Sequence, residues 1–184
     1  MTHAAAYPRY PTIIHALAKA AELNPAAPAF MCQGRLLNYG EYARAIAALA
    51  ADFAERGVAG ERIAFLMTNG LEAAVGMVAG MAAGAQVSPL NPAYTDRELE
   101  PLLRDVEPRV LVCDTASSAR GQEFARRLGI PQVVTLGPGG VTVDELLAAS
   151  PRALPMPGAD DSRRCFSPAA RLGCPKAPVT RTRV

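Results

Sequence analysis

Between residues 62 and 114, three short apolar runs at 63–67, 85–87 and 110–112 alternate with two segments of helical period. Each run is too short to be a helix, so the stretch reads strand, helix, strand, helix, strand. Strands joined through helices must lie parallel. Parallel strands are buried on both faces, which is why their runs are almost continuously apolar. The chain is therefore expected to be α/β, built on a parallel sheet of βαβ units.

Both helices of this unit carry start signals. Asn69 with Glu72, and Thr95 with Glu98, each fit a capping box, in which the first side chain and the carboxylate three residues on satisfy each other's backbone N–H groups. The second helix places Leu99, Leu102, Leu103 and Val106 on one apolar stripe facing the sheet. The first has no charge from residue 73 to 85, and Gly76, Gly80 and Gly84 recur every fourth residue. That composition predicts a helix enclosed on most sides, with neighbouring backbone very close. Spanning a membrane takes roughly 20 apolar residues, more than this run offers.

The flanks read in the same way. A helix starts near Thr12 and ends before Pro25, with Ile13, Ile14, Leu17 and Ala21 inward. Residues 29–32 and 35–37 make two short strands about Gln33-Gly34, a tight hairpin. A long helix follows, with Asn38 and Glu41 as a further capping pair, Tyr42, Ile46, Leu49 and Phe53 as its stripe, and Gly57 as its stop. Beyond the central unit come an amphipathic helix at 117–128 with Phe124 and Leu128 inward, a strand at 133–136, a glycine-rich loop at 136–140, and a short helix at 143–149. Three prolines make 151–158 a linker.

The chain's 184 residues, half of them apolar, suffice for one sizeable core. Four irregularly spaced cysteines and no basic-plus-apolar leader point to the reducing cytoplasm, without disulfides or zinc. The formal charge of +2 is unevenly placed. Six of the 19 basic residues, and none of the 17 acids, lie beyond Asp161; removing them leaves 13 basic against 17 acidic, a net of −4. A mildly acidic domain at 12–161 thus sits between a loose N-terminus, 1–11, and a basic tail, 162–184.

Few side chains suggest chemistry. His3 and His15 have no Cys or carboxylate at ligand spacing, and read as a solvated terminus and a helix surface. Cys113 ends an apolar strand and reads as a small buried hydrophobe. Gly137, Gly139 and Gly140 lack the following helix with Lys and Ser/Thr that a phosphate loop needs, so an ordinary turn is expected. Asp96, Arg97 and Glu98 occupy a first helical turn, where acids complement the dipole. No catalytic, cofactor-binding or metal residue is assigned.

The run GERIAFLMTNGLEAAVGMVAGMAAGAQVSPLNPAYTDRELEPLLRDVEPRVLVCD resembles the N-terminal part of the adenylate-forming acyl-CoA synthetases. There an apolar Gly/Ala helix leads to a strand, a Pro-x-Asn-Pro-x-Tyr-Thr loop and an acid-capped helix. The hairpin and NYGEYARAIAALAADFAERGV look like that family's opening, so the resemblance covers about residues 10–161. It implies activation of a carboxylic acid with ATP and magnesium to an acyl-adenylate, then transfer to coenzyme A. The loop PLNPAYT with TDRELE looks most like fatty-acyl ligases, with malonate-type and aryl ligases as near alternatives.

The family's phosphate-binding signature, T-[SG]-G-T-T-G-x-P-K-G, should follow Asp160-Asp161. Instead the chain continues SRRCFSPAARLGCPKAPVTRTRV. Read one base earlier, each codon of this tail takes the wobble base of one residue and two bases of the next. From Ser167-Pro168 to Lys176-Ala177 the shifted codons then permit T-G-G-T-T-G-x-P-K-G at ten consecutive positions. The tail thus reads as an out-of-frame translation of the ATP loop, and its Pro- and Arg-rich composition as disordered. On this reading the chain is a truncated, inactive ligase fragment that binds no cofactor of its own and is able to self-associate through uncovered apolar surface, above all its central helix. The competing class is a stand-alone α/β module whose basic tail meets an anionic partner, although the main domain offers no basic face for a specific nucleic acid.

Overall fold

The computed structural model describes residues 9–158. The tail, with the frame and disorder readings attached to it, and most of the N-terminal segment lie outside the described residues. In chain order the elements are α1 (Ile13–Leu23), β1 (Pro28–Cys32), β2 (Arg35–Asn38), α2 (Tyr39–Glu55), β3 (Arg62–Leu66), α3 (Leu71–Ala82), β4 (Gln86–Leu90), α4 (Asp96–Val106), β5 (Val110–Asp114), α5 (Thr115–Leu128), β6 (Gln132–Leu136) and α6 (Val143–Ala148).

The expected parallel sheet is present, in the order β4-β3-β5-β6, and β1 and β2 form a separate antiparallel hairpin. The chain leaves β3 toward β4 on one side, then crosses back to β5 on the other. Because such crossovers are right-handed, the change of direction puts α3 on one face and α4 and α5 on the opposite face. The strand residues sort accordingly. Ile63, Phe65, Val110 and Val112 pack among α1, α2, α3 and α6, while Ala64, Leu66, Leu111 and Cys113 pack against Leu99, Leu103 and Phe124.

β4 runs three residues beyond the expected 85–87, through Pro89. Gln86 donates its N–H to Glu61 at 2.8 Å, so by the period of two Gln86, Ser88 and Leu90 turn their backbone groups to β3. Pro89 faces away from the sheet, where no ladder bond requires an N–H, and an edge strand tolerates proline only in that position.

α3 is enclosed, with no residue in the exposed class. At Gly76 and Gly80, however, the near neighbours are side chains and not the backbone expected, while Gly84, just past the helix, does meet backbone, at Ala59. A Cβ on Gly76 would lie 2.9 Å from Phe65 Cε1 and from Leu136 Cδ1, and one on Gly80 would lie 3.0 Å from Val87 Cγ2. The glycines let the helix settle onto large residues of the sheet. α2 covers the other side: Tyr42 donates its hydroxyl to the Ala74 carbonyl at 3.1 Å, and Phe53 meets Phe65 edge-on at 6.5 Å.

The Asn69–Glu72 capping box does not form. The N-cap is Gly70, in extended backbone, which moves the helix start one residue on and leaves both side chains out of reach of its orphan N–H groups. The other caps hold. Asn38 and Glu41 close a reciprocal box at 2.8 and 3.0 Å, and Glu98 reaches back to the Thr95 N–H at 2.7 Å. Gln33 and Gly34 are both left-handed (φ 49° and 81°), as a two-residue hairpin turn requires. Two stripe residues face outward instead of in. Ile13, in the first position after the Thr12 cap, is 60% exposed, and Leu102 is 38% exposed because the line through Leu99 and Leu103 carries the α4 contact.

Candidate functional site

In an open parallel sheet, ligands enter where neighbouring strands send the chain in opposite directions, outside their carboxyl ends. Here that point lies between β3 and β5. The segment after β3, Met67 to Gly70, and the start of α5 after β5 flank a cleft of about 520 Å³. Its remaining wall comes from the hairpin (Gln33, Arg35) and from the turn after β6 (Gly137, Pro138).

Asp114 ties these parts together. Its carboxylate accepts from the Thr68 N–H at 2.8 Å and the Thr68 hydroxyl at 2.9 Å, and from the Ser117 N–H at 2.8 Å, the last capping α5. Burial pushes the Asp114 carboxyl up, but the hydrogen bonds from Thr68 and Ser117 outweigh it and hold the group below the ordinary aspartate value. One charged residue thus pins the loop after β3 to the end of β5 across the switch point. Alongside, Thr115 donates its hydroxyl to the Pro138 carbonyl, and Ser118 and Thr135 share a hydrogen bond of 2.8 Å. Gly140 closes the turn so tightly that a Cβ would run into the Thr135 carbonyl oxygen.

On the other side of Thr68-Asn69 lies a second cleft of about 440 Å³, floored by Phe65, Met67, Met77 and Leu90 and walled by Asn91 and Pro92. The carboxyl edge of the sheet therefore presents a polar lobe over β5 and β6 and an apolar lobe over β4. Among the residues lining the polar lobe Arg35 is the single cation, and its guanidinium is held in a bidentate pair by Asp144 of α6. A triphosphate needs free positive charge and oriented donors. The residues lining this lobe supply the second in part and, for the first, only this paired arginine, and among the described residues no group of three His, Cys, Asp or Glu could hold a metal ion.

The residues singled out in the sequence fall mostly outside this edge. His15 shares a hydrogen bond of 2.8 Å with its own helix cap, Thr12, and His3 lies outside the described residues. Cys113 is fully buried, and burial together with the Asp114 charge pushes its thiol up to about 12, far from thiolate chemistry at neutral pH. Gly137 and Gly139 are left-handed turn residues; Gly137 lines the polar lobe. Asp96 is bound by Arg120, and Glu98 serves the α4 cap. Asp114, Thr68 and Arg120 were not singled out. For Asp114 a signal was present: an acid closing a buried apolar strand, with Ser117 three residues on, is a helix-cap pattern. Among the described residues no helix is long and apolar enough to cross a membrane.

The sequence profile of the AMP-binding enzyme family matches residues 17–164. Tyrocidine synthase 3 of Brevibacillus parabrevis is 33% identical over 110 residues, 59% of this chain and 2% of the synthase. The 3-hydroxybenzoate–CoA ligase of Aromatoleum sp. (strain CIB) is 30% identical over 132 residues, 69% of this chain and 25% of the ligase. The crystal structure of ATP-bound MatB from Rhodopseudomonas palustris superposes with a TM-score of 0.69 at 28% identity, covering 83% of this chain and 31% of that one. The chain spans less than a third of each of these proteins.

Proposed function

The chain belongs to the AMP-binding enzyme family, and from that premise we propose that it is the N-terminal portion of an ATP-dependent acid–thiol ligase, interrupted before its phosphate loop and inactive as it stands. The supporting observation is the charge of the carboxyl-edge cleft. Its one arginine is engaged at the surface by Asp144, so the cleft holds no cluster of positive charge aimed at phosphate oxygens as charge shifts in an adenylation transition state. The place where the family match ends, residue 164, supports the same reading: it falls where the signature would begin and where the tail regains that signature in the neighbouring frame.

In the intact enzyme the substrate is a carboxylic acid, activated with ATP and magnesium and passed to coenzyme A. A fatty acyl chain is the reading from the PLNPAYT loop. An aromatic acid is the second, favoured by the identity to the 3-hydroxybenzoate–CoA ligase. A stand-alone module for an anionic partner is disfavoured by the domain itself, because four arginines of α4 and α5, Arg104, Arg120, Arg126 and Arg127, are paired with Asp96, Glu100 and Glu123.

ATP–pyrophosphate exchange on the purified 184-residue chain, over short, long and aromatic acids, is expected to match a blank; clear exchange overturns the inactivity. Restoring one base near Asp161-Ser162 should open a long frame whose product releases pyrophosphate and forms acyl-CoA only with acid and coenzyme A present. A stop within a few codons overturns the ligase assignment.

A further inference from the structure

Arg120 projects from α5 into the loop between β4 and α4, which forms the outer wall of the apolar lobe. The loop begins its own order locally. Asn91 accepts from the Ala93 N–H at 3.0 Å through its side chain and from the Tyr94 N–H at 3.1 Å through its carbonyl, and the Thr95 N–H is held by Glu98. Those bonds leave the Pro92 and Tyr94 carbonyls pointing across to α5. Arg120 takes both: Nη1 donates to Pro92 O at 2.9 Å, Nη2 donates to Tyr94 O, and Nε donates to Asp96 Oδ1 at 2.6 Å. Its guanidinium lies 5.7 Å from the ring centre of Phe124, which is buried, so an aromatic platform aims the fork.

We propose that Arg120 is a positioning residue that fixes the Pro92–Tyr94 loop, and with it the Asn91–Pro92 wall of the carboxyl-edge cleft, from the helix layer behind it. Three nitrogens of one planar group meet three acceptors on a single turn of chain. Neither a lysine nor water could satisfy them in one fixed geometry. The wall is thereby preorganised before any ligand arrives. Its role toward a substrate rests on the ligase reading above; the clamp itself does not.

The test is hydrogen exchange on the 184-residue chain with Arg120→Met, which keeps a stem over Phe124 but no fork, and Arg120→Lys, which keeps charge and one donor. The Ala93, Tyr94 and Thr95 amides should exchange about tenfold faster or more in the Met variant, with partial rescue in the Lys variant, while β3 and β5 amides keep their rates. Wild-type rates at the three loop amides in Arg120→Met overturn the clamp. Equal acceleration in the sheet also overturns it, by making Arg120 a general stabiliser. In the frame-restored enzyme the Met variant should raise KM for the acid severalfold at nearly unchanged kcat. Unchanged KM removes the substrate role, and absence of turnover in the restored wild type refutes the ligase reading, the exchange result deciding the clamp in either case.

Discussion

Replacing Gly121 by Ala, alone and together with Cys113→Ala, puts the α5–sheet contact to a quantitative test. Gly121 sits in the middle of α5, and a Cβ there would overlap Cys113 Sγ well inside van der Waals contact, with Leu111 Cδ2 a further 3.5 Å neighbour. Cys113 is fully buried, so its thiol must leave its rotamer or the helix must lift. Overpacking of this kind costs about 1–3 kcal/mol, against which alanine recovers about 1 kcal/mol of helix propensity over glycine. Gly121→Ala alone is therefore expected to destabilise by about 1 kcal/mol. Cys113→Ala alone leaves a small void and should cost a similar amount, about 1–2 kcal/mol. In the double variant the new methyl occupies the space the sulfur vacated, both penalties cancel, and the propensity gain remains. Stability should rise about 1 kcal/mol above wild type, a favourable coupling of about 3–4 kcal/mol. Urea unfolding followed by circular dichroism, with midpoints compared at constant slope, measures this directly. If the double variant loses the sum of the two single losses, the thiol is not what holds position 121 at glycine.

Asp114→Asn keeps the shape of the cap but turns one oxygen into a donor facing either the Thr68 N–H or the Ser117 N–H, which bond to different oxygens, and should cost about 1–2 kcal/mol in the same assay. Because the folded-state carboxyl lies below its ordinary value of 3.8, its contribution is complete above that pH and disappears as pH falls through the lowered value. The asparagine variant should accordingly narrow its stability gap to wild type in acid, and a gap constant to the lowest accessible pH refutes the assignment. Any self-association of the chain should run through the outer face of the hairpin, where Met31 (72% exposed) and Leu36 (49%) are cross-strand partners, so lysine at both positions should give a monomer in sedimentation where wild type associates.

The architecture was legible because its signals are local and redundant. Continuous apolar runs fixed the parallel strands, and Gly57, Gln33-Gly34 and the Thr95–Glu98 pair punctuated them where the structure also turns. What escaped depends on direction. The strand expected at 85–87 stopped short of Pro89 because a sequence does not reveal that this strand is an edge, or that its odd positions turn their backbone groups outward. Asn69 and Glu72 satisfy a spacing rule, yet the chain enters α3 through Gly70, and a shift of one residue empties the pattern. The carboxyl-edge cleft was the least visible feature. It gathers Arg35, Thr68, Asp114 and Gly137 from four separate segments, and Asp144 joins through Arg35 across 109 residues.

The sheet edges bear on how such an N-terminal portion holds together. Beyond β4, Pro89 removes an outward N–H, and Val87 alone retains both outward backbone groups in the middle of the strand. At the other edge the Val141 N–H already bonds to the Thr135 carbonyl at 2.9 Å, and the Gly137 N–H to the Val141 carbonyl at 2.8 Å, folding the turn after β6 over the carboxyl end of that strand. Neither edge offers a long unpaired ladder. The central helix, the most apolar segment, has no exposed residue, being covered by α1, α2, β1 and the sheet. Its dependence on later segments for burial is thus smaller than its composition suggests. What stays open is the carboxyl edge, with a polar lobe short of positive charge and an apolar lobe walled by the Arg120-clamped loop.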